Sequence, residues 1–370
     1  RISNDISTHI NNQIPKIKGF AKTYDAKVVV ATSDNGLFIL NENEFVPLYN
    51  GQHDIASIYS IDGKTFYCGL WNGDLMAYDY IANSSKVVKT GIENKAILTI
   101  AEYGEDAIIV GSYGNGVAVL NKETFEIRIS SGLIVPINEV TKIINTGEGY
   151  LWIATQDGMV KYDINTQEKS IYKRENNKDN GLPHNNVSDV MIDSENSVWA
   201  ATRKGVAKYN AVQDRFETVS EFDEIKGTWA TDIVKGNDDN LWINLNNNKI
   251  AKYNVKLKKL KVYHVNSGNR LDIFSSSGFY NFNNSRIYLG GKNGVIYFSP
   301  NEIKENKWSP IPIITEFKIQ NKEISPQVEV NGQVPLQVDF NYKKQIELDY
   351  NNRNFSIQFS APSYSNERLN

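Results

Sequence analysis

Short loops in this sequence repeatedly pair an aromatic or planar polar residue with an amide or a charge. Trp71 and Asn72, Tyr113 and Asn115, Gln156 and Asp157, Arg203 and Lys204, and Asn246 and Asn247 each lead into a turn; Asn138, His184 and Trp229 stand in other loops. Such a set suits recognition. An aromatic face accepts apolar C–H groups, and planar amide, carboxylate and guanidinium groups bond hydroxyls in pairs. Trp71, Tyr113, Asn138, Asp157, His184, Arg203, Trp229 and Asn247 are therefore the candidate ligand contacts. Catalytic chemistry has less footing. The histidines are His9, His53, His184 and His264, and none stands with a serine and an acid in a recognisable order or in a His-x-x-x-His pair. A lyase or glycosidase would need two carboxylates, or an acid and a base, across one hollow. Asp34 with Asp157 stays open as that pair, although neither lies in a known motif. No catalytic residue, metal ligand or cofactor is assigned.

The elements that must carry these loops recur. A strand, a glycine turn and a second strand are written seven times, most clearly as Leu151-Trp152-Ile153-Ala154-Thr155, Gln156-Asp157-Gly158 and Met159-Val160-Lys161-Tyr162-Asp163. The turn position is Gly36, Gly73, Gly116, Gly158, Gly205, Asn248 and Gly294, at spacings of 37, 43, 42, 47, 43 and 46. A period in this range marks one propeller blade per copy. In the strand before each turn a mostly large residue (Val29, Tyr67, Ile109, Trp152, Trp199, Trp242, Tyr288) precedes a mostly small one by two positions (Ala31, Gly69, Gly111, Ala154, Ala201, Asn244, Gly290). Period-two alternation puts both on one face, where stacked sheets can interdigitate, so the three recurrent tryptophans read as core. The strand after each turn ends at Asn41, Asp79, Asn121, Asp163, Asn210, Asn254 or Ser299, residues that start turns through their own side chains. A leading strand such as Val187–Ile192 and a trailing one such as Phe45–Leu48 bring each copy to four.

The expected fold is therefore all-β, a seven-bladed propeller over residues 1–305, followed over 306–370 by a linker and the first strands of a β-sandwich. The seventh copy lacks an outer strand before Pro300, and residues 2–10 are placed to supply it. In the tail, residues 311–317, 345–350 and 354–359 read as strands. The 40 basic and 43 acidic residues nearly cancel, to a formal charge of -3. That argues against a nucleic-acid footprint, which shows as a basic excess. The single cysteine, Cys68, excludes an intrachain disulfide and a Cys-based zinc site. No apolar run approaches the ~20 residues that span a bilayer. A chain starting at Arg1 and ending inside an unfinished unit reads as a piece of a longer protein.

Two stretches resemble a known family. Gly181-Leu182-Pro183-His184-Asn185-Asn186-Val187, then Asp193, then Val198-Trp199-Ala200-Ala201-Thr202 with Gly205, resembles the two-component regulator propeller repeat. The tail Ile346-Glu347-Leu348-Asp349-Tyr350, Asn354-Phe355-Ser356-Ile357-Gln358-Phe359 and Tyr364-Ser365-Asn366 resembles the entry to the triple-tyrosine sandwich domain that follows such propellers. Blades one to three depart from the repeat, with Val29, Tyr67 and Ile109 where tryptophan is usual. The resemblance implies the sensor region of a bacterial hybrid two-component system. By implication it is periplasmic and non-catalytic, binds an oligosaccharide, pairs as a homodimer through sandwich and propeller, and signals through a membrane helix to a histidine kinase. A second propeller upstream is compatible with it. A structural or protein-docking propeller is the alternative, and a propeller lyase or glycosidase the remoter one.

Overall fold

A computed structural model of the protein describes residues 5–6, 16–41, 44–130, 134–135, 139–175, 181–236, 240–246, 249–264, 279–282, 286–291, 294–300, 312–339, 342 and 345–360. The chain divides into two compact units, Arg1–Ile303 and Lys304–Asn370. In the first, the described residues form seven four-stranded antiparallel sheets. Blade one is Ile17–Lys22, Val28–Thr32, Gly36–Asn41 and Glu44–Tyr49. The leading strands of blades two to six are Ile55–Tyr59, Ile97–Tyr103, Val140–Asn145, Val187–Ile192 and Ala230–Lys235. Each leading strand lies against the next, Ala230–Lys235 meets Phe279–Phe282 of the seventh sheet, and that strand returns to Ile17–Lys22. The sheets thus form a closed ring, the propeller architecture. The outer edge of the seventh sheet is taken by Asp5–Ile6, paired antiparallel with Val295–Ile296.

The repeat positions explain why these residues form these sheets. The six turn glycines, Gly36, Gly73, Gly116, Gly158, Gly205 and Gly294, all adopt positive φ, from 67° to 133°. At Gly73 a Cβ would lie 2.0 Å from the Ile92 carbonyl oxygen, so glycine is required twice over, by backbone angle and by space. Asn248 lies outside the described residues. The turn-starting residues behave as their chemistry dictates. Asp79 accepts the N–H groups of Ile81 and Ala82, Asn121 those of Glu123 and Thr124, and Asp163 those of Asn165 and Thr166.

The second strand of each blade is buried on both faces, because it has a blade on either side. Leu151 and Ile153 pack with Ile109 and Val119 of blade three, whereas Trp152 and Ala154 pack with Val190, Ala200 and Phe216 of blade five. Trp152, Trp199 and Trp242 are all core. Trp199 completes its burial by donating Nε1–H to Asp193 Oδ2 at 2.8 Å, while Asp193 Oδ1 accepts the backbone N–H groups of Glu195 and Ser197. Removing an indole packed this way costs about 3–5 kcal/mol.

The second unit carries one three-stranded sheet among its described residues, Lys322–Glu323, Ile313–Ile319 and Phe355–Ser360. Phe317, Ile319, Ile324 and Leu336 form its core. Residues 345–350, expected as a strand, are not one. Gln333 donates through Nε2 to the Glu347 carbonyl and accepts the Asp349 N–H, so one amide side chain satisfies backbone groups that a neighbouring strand would otherwise pair.

Candidate functional site

Every leading strand in blades one to six carries the same irregularity. A bulge falls at its second residue, shown by register shifts between Ile17 and Gly19, Ile55 and Ser57, Ile97 and Thr99, Val140 and Lys142, Val187 and Asp189, and Ala230 and Asp232. A bulge re-aims side chains and increases twist. Here it is repeated around the ring, at one end of a central cavity of about 740 Å³.

One hydrogen bond, repeated in six blades, fixes the loops at the end of the second strands, four of which carry residues that line the cavity. The residue that follows each second strand donates its backbone N–H to the carbonyl just before the leading strand. The pairs are Ser33 to Lys16, Trp71 to Asp54, Tyr113 to Ala96, Gln156 to Glu139, Arg203 to Asn186 and Asn246 to Trp229, all between 2.9 and 3.1 Å. In four blades a hydroxyl locks the preceding position. Thr32, Ser112, Thr155 and Thr202 each donate to the turn-glycine carbonyl and accept a turn N–H. The rim side chains thus project from fixed backbone.

Four of the eight candidate contacts line the cavity: Trp71, Tyr113, Arg203 and Trp229. Trp71, Tyr113 and Trp229 are 43, 47 and 38 % exposed, high for large aromatic rings and the reverse of the core tryptophans. Each indole already has a cation over it, Lys18 Nζ at 4.9 Å from the Trp71 ring centre and the Arg203 guanidinium at 5.5 Å from that of Trp229. Burial and the neighbouring Lys16 charge pull the Lys18 pKa down, against the opposing pull of Asp54 and Asp34. Trp229 is further oriented by donating Nε1–H to Ser188 Oγ at 2.8 Å.

Two candidates sit away from the cavity. Asp157 is engaged by the Lys173 ammonium and by Asn185 Nδ2 at 3.1 Å, which makes it a clamp on its own turn. His184 accepts the Asn186 N–H on Nδ1 at 2.9 Å and so shapes the loop leading to the rim. Its pKa is lowered by burial first, and then by the Lys204, Arg203 and Arg174 charges. The carboxylate pair left open from sequence, Asp34 with Asp157, is not brought together on the cavity. Asn138 and Asn247 lie outside the described residues.

Sequence reasoning missed the residues lower on the wall. Lys142, Asp189 and Asp232 occupy the third position of the leading strands of blades four, five and six and line the cavity. Lys142 Nζ is 3.8 Å from Asp189 Oδ1, and Asp189 Oδ2 accepts the Ile233 N–H at 2.9 Å. Asn244, standing where the other blades have alanine or glycine, donates Nδ2–H to Asp232 Oδ2 at 3.3 Å. Desolvation raises the pKa of both carboxyls, while Lys142 pulls each the other way. The signal was present. Aligned by blade, the third position reads Gly19, Ser57, Thr99, Lys142, Asp189 and Asp232. Among the described residues no group of three His, Cys, Asp or Glu side chains is placed to hold a metal ion, and no helix is long and apolar enough to cross a membrane.

No family model matches the chain. It is 30 % identical over 353 residues to histidine kinase P4 of Formosa agariphila, a match that takes in 90 % of this chain and 25 % of that protein. The chain thus spans about a quarter of the length of its curated relative. Its fold is similar to a crystal structure described as the extracellular domain of a hybrid two-component system from B. thetaiotaomicron, with a TM-score of 0.65 and 16 % identity over 82 % of this chain and 40 % of that one. It is also similar to virginiamycin B lyase from Staphylococcus aureus, with a TM-score of 0.61 and 11 % identity over 78 % of this chain and 96 % of that one.

Proposed function

We propose that this chain is the ligand-recognising part of an extracytoplasmic sensor in a hybrid two-component histidine kinase, and that its ligand is an oligosaccharide. Trp71, Tyr113, Arg203 and Trp229 on the rim of one cavity carry the reading. They offer aromatic faces and a planar donor at the same opening, on backbone held by the repeated rim bond. The similarity to a histidine kinase, and to an extracellular domain of a hybrid system, supports it.

The mechanism that follows is recognition coupled to a change of arrangement. A sugar that binds one arrangement of paired receptors more tightly than another shifts the population toward the first. In this reading the second unit is the opening of a sandwich domain that carries the shift toward a membrane-linked kinase, with the propeller in the periplasm. The rim chain groups bind and orient, and no bond is made or broken.

The lyase fold neighbour and the Asp189–Asp232 pair favour one alternative, catalysis in the cavity. Both readings meet the same experiment. The purified chain is screened by thermal shift against neutral and acidic oligosaccharides, and each hit is incubated and assayed for product. A ligand at 100 times its Kd adds ~2.7 kcal/mol to stability. A raised melting temperature with an unaltered sugar is expected. Release of new reducing ends or unsaturated products would replace sensing with catalysis, and no response to any glycan would remove the carbohydrate reading.

A further inference from the structure

The third residue of the leading strand has a structural task that needs no charge. In blade three, Thr99 Oγ1 accepts the N–H of Ile143 from the next blade at 3.0 Å. In blade five, Asp189 Oδ2 accepts the equivalent N–H, that of Ile233, at 2.9 Å. A hydroxyl is therefore enough to tie one leading strand to the next. Asp189 performs the same task with one oxygen and leaves Oδ1 buried, bordering the cavity and accepting no hydrogen bond, in a residue only 8 % exposed. A buried acceptor left without a donor is unfavourable and is uncommon in folded proteins. The neighbouring Asp232 is held by Asn244, which stands where the other blades have a small residue. Lys142 supplies a cation on the same wall, at 3.8 Å from the free oxygen, longer than a hydrogen bond.

We propose that Lys142, Asp189 and Asp232 form an inner subsite that receives the hydroxyl-bearing terminal unit of an oligosaccharide, so that the chain enters the cavity end-on while its following units lie against Trp71, Tyr113 and Trp229. This rests on the carbohydrate reading above and adds an orientation to it. One cavity runs from the rim aromatics past these side chains to Glu102 and Asn145, within the ~300–1,000 Å³ usual for pockets that enclose a ligand. A terminal sugar unit carries several O–H donors, of which Asp189 Oδ1 has none within hydrogen-bond distance, and acceptors for the Lys142 ammonium. A segment in mid-chain is blocked by linkages on both sides and could reach only the rim.

The experiment is calorimetric titration of the purified chain with linear glucan, xylan, mannan and galactan oligosaccharides. Each is offered unmodified, reduced to the alditol at one end, and capped by a bulky group at the other; cyclodextrins stand as sugars without ends. Asp189→Thr is the matched variant, since Thr99 shows that threonine makes the strand-to-strand bond. For a sugar that binds, blocking one particular end should weaken affinity by at least about tenfold and blocking the other should not, the size expected for losing hydrogen bonds to a charged group. Asp189→Thr should weaken the unmodified sugar by a similar factor with its melting transition retained. Equal affinity whichever end is blocked, or an Asp189→Thr protein that binds as tightly as the parent, overturns end-on entry while leaving the rim reading intact. No binding by the parent to this panel or to the acidic oligosaccharides of the thermal-shift screen overturns both.

Discussion

The ring has two unlike arcs. In blades one to three the third leading-strand residues are Gly19, Ser57 and Thr99, and the residues after the second strands are Ser33, Trp71 and Tyr113. In blades four to six the same places hold Lys142, Asp189 and Asp232, with Gln156, Arg203 and Asn246 above them. Backbone, bulge and rim bond are common to both arcs, so the difference lies in side chains alone. In the first arc Ser57 and Thr99 make inter-blade bonds without charge, as when Ser57 Oγ–H donates to the Ile97 carbonyl at 2.7 Å. The other keeps charge at this position at a cost in desolvation. The same position thus serves ring closure and the cavity wall at once, and what varies from blade to blade is the charge it carries.

That contrast can be broken by moving charge into the quiet arc. Ser57→Asp loses the bond to Ile97 and puts a carboxylate against a carbonyl oxygen, at a cost of about 2–4 kcal/mol. The melting temperature should fall by roughly 5–10 °C in a thermal scan. An unchanged melt would mean that the arcs are electrostatically equivalent.

The converse change sharpens it. Burial holds the Asp189 pKa up, at about 6, against the pull of Lys142, with the Asp232 charge adding to the rise. A carboxyl whose folded pKa lies above its unfolded one gains stability on protonation, fully present below the unfolded value and lost as pH rises through about 6. Asp189→Thr should therefore melt higher than the parent at pH 7.5, by about 2–5 °C. The gap should close between pH 6 and pH 4 as the parent takes up its proton. A gap that widens on acidification would show that the Lys142 pair, not desolvation, dominates.

The smallest thermal effect belongs to the rim. Trp71 is 43 % exposed, so Trp71→Ala should move the melting temperature by no more than about 2 °C. Its affinity for any sugar found in the screen should nevertheless drop about tenfold, as for an exposed aromatic anchor. A large loss of stability would reassign Trp71 to packing.

How much of this could be read from the residues differs between the arcs as well. The ring was legible because its determinants are local. A glycine at positive φ, an aspartate or asparagine that starts a turn, and a large residue two before a small one each act within a few positions. Trp71 and Trp229 stand outside the recurrent core position of Trp152, Trp199 and Trp242, and the structure leaves both half-exposed on the cavity. The role of Asp157 was not legible, because its partners Lys173 and Asn185 meet it only in the folded turn. Asp189 and Asp232 were hidden inside strands, where alternation predicts which face a residue takes but not that a bulge turns it toward a cavity. In the second unit, Gln345–Tyr350 has strand-like residues, yet Gln333 from elsewhere in the chain claims its backbone.

The pairing of Asp5–Ile6 with Val295–Ile296 also imposes an order of events. These partners stand roughly 290 positions apart, so their pairing carries a large loop-closure cost and needs nearly the whole first unit. Until then the strand bearing Val295 is an unguarded edge, open to capture by another molecule.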